Sequence, residues 1–180
     1  MRGVIVIIKT ERLQLVEFDT KYALDLFELW SDFEVIKYTY MPLLNSIDEC
    51  KSKIEMFINY TDKKFTNNFI IRLDNKAIGI IGSPIINKEN ENFGFYYQLS
   101  RAYWGKGYIG EATKAFIQYL KDGYPNAVIN ADAVSINPAS IAILKNLGLK
   151  QVHIEKEGFT CNNLKLDLVT FTNDVEDEKK

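Results

Sequence analysis

The densest chemical signal in the chain is Tyr103-Trp104-Gly105-Lys106-Gly107-Tyr108-Ile109-Gly110-Glu111-Ala112. Gly105, Gly107 and Gly110 fall just after an aromatic, strand-like run from Phe93 to Leu99. A helical pattern follows at once, with Ile109, Ala112, Phe116 and Tyr119/Leu120 on one face. A glycine turn that opens a helix presents unpaired backbone N–H groups and the positive end of the helix dipole. Glycine also accepts φ > 0 and lets the backbone approach a ligand closely. The chemistry this suits is binding of a diphosphate.

Gly105, Gly107 and Gly110 also fit G-x-G-x-x-G, with Asp132 further on near a strand. That is the outline of a dinucleotide fingerprint. Against it, Ser100 to Trp104 separate the strand from the first glycine, and the upstream strands read as hairpins rather than βαβ units. Too little chain follows Asp132 for a second nucleotide-binding half. A Walker loop is excluded because Gly-Lys-Ser/Thr is missing at the required spacing. His153, the one histidine, falls on a late strand and reads as structural or surface, and no metal-binding cluster stands out. Cys50 and Cys161 lack metal spacing and read as plain thiols.

The elements that must hold this loop can be read from hydrophobic period. Arg12 to Phe18 alternates as a strand. Asp19 or Thr20 caps a helix whose apolar face is Tyr22/Ala23, Leu26/Phe27 and Trp30. Ser31 to Tyr38 reads as a short helix, broken at Pro42. Ser46 and Glu49 form a capping box for a third helix. Strands follow at Asn68–Leu73, Ala77–Ile86 and Asn92–Leu99, split by the turns Asp74-Asn75 and Asn87 to Asn90. The loop helix spans about Tyr108 to Lys121, and Val128–Val134 is another strand. Asn137, with Pro138 behind it, caps a helix that runs to Leu147 and stops at Gly148. Gln151–Glu155 and Leu164–Phe171 close the fold. The expectation is an α/β (α+β) domain over residues 1–172, with a mostly antiparallel, twisted sheet of about six or seven strands flanked by helices. Residues 173–180 (NDVEDEKK) read as a frayed, charged tail.

With 180 residues, 47% apolar and 26% charged, the chain has the composition of a globular domain. Its net charge of −2 provides no basic field for nucleic acid and no Lys/Arg run for an anionic membrane. The apolar run Val4–Ile8 is too short for a membrane span or a signal-peptide core. A cytoplasmic protein that binds neither nucleic acid nor membrane is expected, as a monomer or homodimer.

Tyr96-Tyr97-Gln98-Leu99, Trp104 to Tyr108, Glu111-Ala112, Asn137-Pro138-Ala139-Ser140 and Leu147-Gly148-Leu149 together resemble the GNAT N-acetyltransferases. The resemblance is greatest to the branch of ribosomal-protein alanine N-acetyltransferases, supported by Thr10-Glu11-Arg12-Leu13-Gln14-Leu15 and Ile78-Gly79, and it spans about residues 8–172. It implies acetyl-CoA as the acyl donor and a pair of splayed strands at the donor site. Trp104, Gly105, Lys106, Gly107, Tyr108 and Ile109 would then hold the pyrophosphate. Gly107 matches the family loop, whereas Trp104 and Ile109 depart from it without removing a backbone donor. Tyr97-Gln98-Leu99 would pair with the pantetheine arm, and an N–H near Tyr97 or Gln98 would polarise the thioester carbonyl. Asn137 is expected near the same arm, a role compatible with capping.

For the proton transfers, the resemblance points to Asp132 as base, five residues before the asparagine. Where many relatives carry a tyrosine acid this chain has Leu144, so Ser140, with Tyr97 or Tyr103 in reserve, is the candidate partner of the thiol. The resemblance also implies a primary amine as acceptor, either a protein N-terminus or a small molecule. The aromatic and acidic stretch Trp30 to Tyr40 would suit its cation, or else simply packs helices. Two other readings stay open: a non-catalytic acyl-CoA sensor on the same fold, and an NAD(P)-binding protein.

Overall fold

The computed structural model describes residues 6–62, 66–161 and 163–174. Its strands are β1 (Ile7–Lys9), β2 (Leu13–Val16), β3 (Thr66–Leu73), β4 (Lys76–Asn87), β5 (Asn92–Gly94), β6 (Tyr96–Leu99), β7 (Val128–Val134), β8 (Lys150–Cys161) and β9 (Leu164–Thr172). The helices are α1 (Ala23–Trp30), α2 (Phe33–Ile36), α3 (Ile47–Asp62), α4 (Tyr108–Gly123) and α5 (Pro138–Asn146). The strands form one sheet in the order β1-β2-β3-β4-β5-β7-β9-β8, with β6 paired to β4 off that path. Nine strands among the described residues exceed the six or seven expected. β1 was too short to register in the period, and the run Asn92–Leu99 is two strands rather than one.

The break in that run is the architectural event that makes the site. Gly94 lies against Pro84, where a Cβ would sit 2.8 Å from the proline Cγ, and the strand is interrupted at Phe95. Before the break, β5 pairs in parallel with β7, with α4 as the crossover that parallel strands require. After the break, β6 stays on β4 alone, so β6 and the second half of β7 diverge.

Each face of the sheet carries its own core. On one, α4 and α5 pack Ile109, Ala112, Phe116, Leu120 and Leu144 against Leu15, Ile71, Ile81, Ala131 and Phe171. On the other, α1, α2 and α3 place Leu26, Trp30, Val35, Cys50 and Ile54 over Val16, Ile70, Ala77 and Ile80. Glu49 N–H donates to Ser46 Oγ (3.2 Å), but the Glu49 carboxylate takes the N–H of Asn45 rather than that of Ser46. The capping box is therefore shifted by one residue. Of the apolar residues of α5, only Leu144 is fully buried. Asn173, read as the start of the tail, is tied to β7 instead. It accepts from Ile129 N–H (2.7 Å) and donates to the carbonyls of Ile129 and Ala127. Residues 175–180 of the expected tail lie outside the described residues. Among the described residues no helix is long and apolar enough to cross a membrane.

One buried polar contact joins the two halves. Trp30 Nε1–H donates to Gln98 Oε1 at 2.8 Å, fixing α1 to β6. Trp30→Phe leaves that oxygen buried without its donor, a loss of about 1–3 kcal/mol. For a chain of this length the expected fall in Tm is roughly 3–10 °C, read by thermal unfolding. A Tm unchanged within a degree would show that solvent reaches Gln98.

Candidate active site at the splayed strands

The ladder register decides which backbone groups face the opening. Bonded and non-bonded pairs alternate in an antiparallel ladder. Ser100 N–H bonds Ile78 O at 2.8 Å, so Gln98 bonds back to Ile80 while Tyr97 and Leu99 turn their N–H and C=O groups away from β4. The same reasoning on β7, anchored by the Asn173 N–H to Ile129 O bond, turns the backbone groups of Asp132 and Val134 toward the opening. Two rows of strand groups without a strand partner therefore face one wedge. Leu99 O is capped by the Trp104 indole N–H (2.7 Å), and Val134 O accepts the N–H of Asn137 (2.8 Å). Tyr97 and Leu99 are left with N–H groups that make no bond among the described residues.

At the end of the wedge the glycine loop behaves as its residue types require. Gly105 and Gly107 adopt φ of +72° and +79°, with Gly107 as the N-cap of α4. Among the described residues the N–H groups of Gly105, Lys106 and Gly107 make no hydrogen bond. Those of Tyr108, Ile109 and Gly110 belong to the first helical turn, which has no intrahelical acceptors. Trp104 N–H is already used by Arg101 O (3.1 Å). Lys106 Nζ reaches back to Ala102 O (2.9 Å) over the Tyr103 ring, rather than standing free beside the loop.

The candidate acid residues meet across the wedge. Tyr97 Oη on β6 lies 2.9 Å from Ser140 Oγ in the first turn of α5. Burial pushes the Tyr97 phenol up to about 12, with the Ser140 hydrogen bond pulling the other way. Asn137 caps α5 by accepting from Ser140 N–H (3.2 Å), which sets the serine in place and leaves the amide NH₂ without a partner among the described residues. Tyr103 packs instead near Tyr108 and Lys106, outside this pair. Asp132 is exposed on β7 and accepts from Thr170 Oγ1 at 2.7 Å. Side chains alternate along a strand, and its neighbours Ala131 and Ala133 pack with α4 and α5, so Asp132 faces the other side of the sheet from Ser140.

That other side has a rim of its own. Tyr40, 80% exposed, sits edge-on to Phe159 at 5.4 Å between ring centroids. Its phenol is raised, first by loss of solvent around the hydroxyl and then by the charges of Asp132 and Glu155. Much of the remaining aromatic and acidic stretch is structural. Trp30 is fully buried, Asp32 caps α2 and pairs with Arg101 (3.0 Å), and Glu34 pairs with Lys37 (2.6 Å). His153 lies exposed on β8, away from the wedge.

A sheet split between a crossover pair, with a glycine-loop helix at the split, is the architecture that comparison with known proteins places in the acetyltransferase (GNAT) family. Residues 12–150 match the profile of the acetyltransferase (GNAT) domain, and the chain belongs to that family. The uncharacterized N-acetyltransferase p20 of Bacillus licheniformis is 29% identical over 151 residues, 83% of this chain and 82% of that one. In fold the chain is similar to RimL, the ribosomal L7/L12 α-N-protein acetyltransferase solved in complex with coenzyme A. The TM-score is 0.85 at 16% identity, covering 93% of this chain and 97% of that one. It is also similar to the microcin C7 self-immunity acetyltransferase MccE, solved with acetyl-CoA and AMP. There the TM-score is 0.82 at 19% identity, covering 92% and 94% of the two chains.

Proposed function

We propose that this protein transfers an acetyl group from acetyl-CoA to a primary amine, on a protein N-terminus or a small molecule, by direct attack within a ternary complex. The observation that carries the reading is the wedge itself. It presents unpaired N–H groups of Tyr97 and Leu99 beside a glycine loop whose N–H groups from Gly105 to Gly110 point at no protein acceptor. Such donors suit the amides and the diphosphate of coenzyme A, which is named in the RimL structure and, as acetyl-CoA, in the MccE structure.

The residues divide the proton work between the two faces of the sheet. From the Tyr40 side Asp132, acting through a water, takes the proton that an ammonium must lose before its nitrogen can attack. The Tyr97 N–H stabilises the negative charge that develops on the carbonyl oxygen. As the C–N bond forms and the C–S bond breaks, Ser140 Oγ–H protonates the departing sulfur, and the second proton that the attacking nitrogen sheds is relayed through water to restore the serine hydroxyl. Products are the amide and the free thiol, with one net proton released to solvent. Tyr40 and Phe159, with Asp132 and Glu155 near them, form the mouth through which a cationic amine approaches.

The cofactor is tested by thermal unfolding with acetyl-CoA, CoA and NADH in parallel. A ligand at 100 times its Kd adds about 2.7 kcal/mol, a rise of roughly 5–10 °C for a chain this long. A rise with both CoA species and none with NADH is expected. No rise with either at millimolar concentration would overturn the reading, and a response to NADH alone would replace it. Acetyl-CoA turnover with a panel of amines then separates an enzyme from an acyl-CoA sensor. In that assay Asp132→Asn is expected to lower kcat/KM for the amine about 100-fold near neutral pH. The deficit should shrink as rising pH supplies neutral amine, while the Kd for CoA stays unchanged. A uniform loss at every pH would assign Asp132 to acceptor binding instead.

A further inference from the structure

Arg12, in the turn between β1 and β2, is far in sequence from the glycine loop yet bonds both that loop and the first turn of α4. Its Nε donates to Glu111 Oε2 at 2.6 Å, its own N–H donates to Glu111 Oε1 at 2.8 Å, and Nη1 donates to the carbonyl of Lys106 at 3.1 Å. The guanidinium lies 4.6 Å from the centre of the Tyr108 ring, and Nη2 comes within 3.5 Å of where a Cβ at Gly107 would be. Thr10 Oγ1 adds a hydrogen bond to the same Glu111 carboxylate. Burial opposes ionisation of Glu111, but these donors together outweigh it and hold its carboxyl below the usual range.

We propose that Arg12 is a positioning residue for the donor-binding loop, acting through the Lys106–Gly107 peptide; the inference rests on the acetyl-CoA reading of that loop. In a trans peptide the C=O and the following N–H point in opposite directions. Drawing the Lys106 carbonyl onto the guanidinium therefore aims the Gly107 N–H away from Arg12, and leaves it without a protein acceptor among the described residues and free for the diphosphate of that reading. A glycine loop left to itself samples many conformations, and ordering them would weaken binding. Arg12 removes that freedom beforehand. Lysine cannot reproduce the arrangement, since one ammonium on a flexible stem lacks the rigid fork that reaches two acceptors at fixed angles. Glu111 keeps its bonds to Thr10 and to the Arg12 N–H when the side chain is shortened, so the helix start retains its anchor.

The test uses Arg12→Ala and Arg12→Lys with two readouts: calorimetric Kd for CoA, and hydrogen exchange of individual amides in the ligand-free protein. The Glu111 amide, bonded to Gly107 O at 3.1 Å, reports on the loop–helix junction. Phe116 and Leu120 report on the buried body of α4. The expected result is that both variants weaken CoA about tenfold, the scale of one charge-assisted hydrogen bond. Exchange at Glu111 should accelerate in both variants while Phe116 and Leu120 are unchanged. Wild-type affinity in Arg12→Lys would overturn the proposal in favour of a simple charge effect. Wild-type affinity in Arg12→Ala, or equal acceleration along all of α4, would overturn it in favour of a purely structural ion pair. If the wild-type protein binds no CoA, the functional reading falls instead, and the exchange data still report whether Arg12 orders the loop.

Discussion

Ser140→Ala is expected to lower kcat by about 100-fold, the lower end of what a positioned proton donor contributes, with KM for acetyl-CoA changed less than about threefold. Two facts make the serine hard to replace. The position where many relatives carry a tyrosine acid is Leu144, which is 1% exposed and carries no proton to give. The other nearby hydroxyl, Tyr97, is hydrogen-bonded to Ser140 itself at 2.9 Å. In the proposed mechanism Tyr97 donates to Ser140 Oγ, one of the two senses open to this pair, and the serine hydrogen is free for the sulfur. Tyr97→Phe then costs orientation rather than the proton, a loss of about tenfold. The double variant should be little worse than Ser140→Ala alone, because residues acting as a unit are not additive. Independent, multiplying losses would show that the two hydroxyls act separately. An unchanged kcat in Ser140→Ala would mean that the thiolate leaves unprotonated.

The pH dependence follows from the same geometry. Burial holds the Tyr97 phenol neutral up to about 12, and a serine hydroxyl does not ionise in the working range. The rate should therefore rise with the neutral amine and then level, without a downward limb from this pair below about pH 11. Stability carries the complementary sign. A phenol whose folded value lies above the free value of about 10 gives a contribution that is intact below pH 10 and is lost between pH 10 and about 12. Tyr97→Phe should flatten the stability curve in that window.

The parts of this molecule that were legible in its sequence are those governed by local chemistry. Asn137 and Pro138 announce the start of α5, and Val128–Val134 is bounded as the structure has it. The glycine loop and α4 begin where the spacing says they do. What the sequence hid is long-range. The alternation from Phe93 to Leu99 is unbroken, and the interruption at Phe95 falls where Gly94 packs against Pro84, a contact between strands. β8 runs on to Cys161, past the expected end at Glu155. Its charged residues disguise the period, and a register shift between Glu155 and Phe159, with Glu157 at φ +54°, breaks it. Gln98 was read as a ligand contact, but its side chain answers to Trp30 and its backbone to Ile80, neither visible nearby in the chain. The role of Arg12 is equally silent, since Glu111 is 99 residues away.

Gly107→Val is expected to abolish measurable CoA binding, whereas Gly110→Val should leave it within about twofold of wild type. The two glycines look equivalent in the spacing, and the backbone separates them. Gly107 sits at φ +79°, where a left-handed conformation costs an ordinary L-residue about 1–2 kcal/mol and a β-branched one more. Valine there would draw φ negative and rotate the N–H groups of the loop out of convergence, and its side chain would meet the Arg12 guanidinium. Gly110 is an ordinary helical residue with nothing within 4 Å of an added Cβ, and valine is a somewhat better helix former than glycine. The pair also discriminates between ligands. A dinucleotide fingerprint uses its third glycine for close packing of helix on strand, so in that case Gly110→Val would be the damaging change. A diphosphate held by the first helical turn depends on Gly107 and is indifferent to Gly110. Calorimetry with CoA on the two variants, with thermal unfolding to confirm that both are folded, reads the difference directly. Loss of binding in Gly110→Val with retention in Gly107→Val would invert the assignment of the loop.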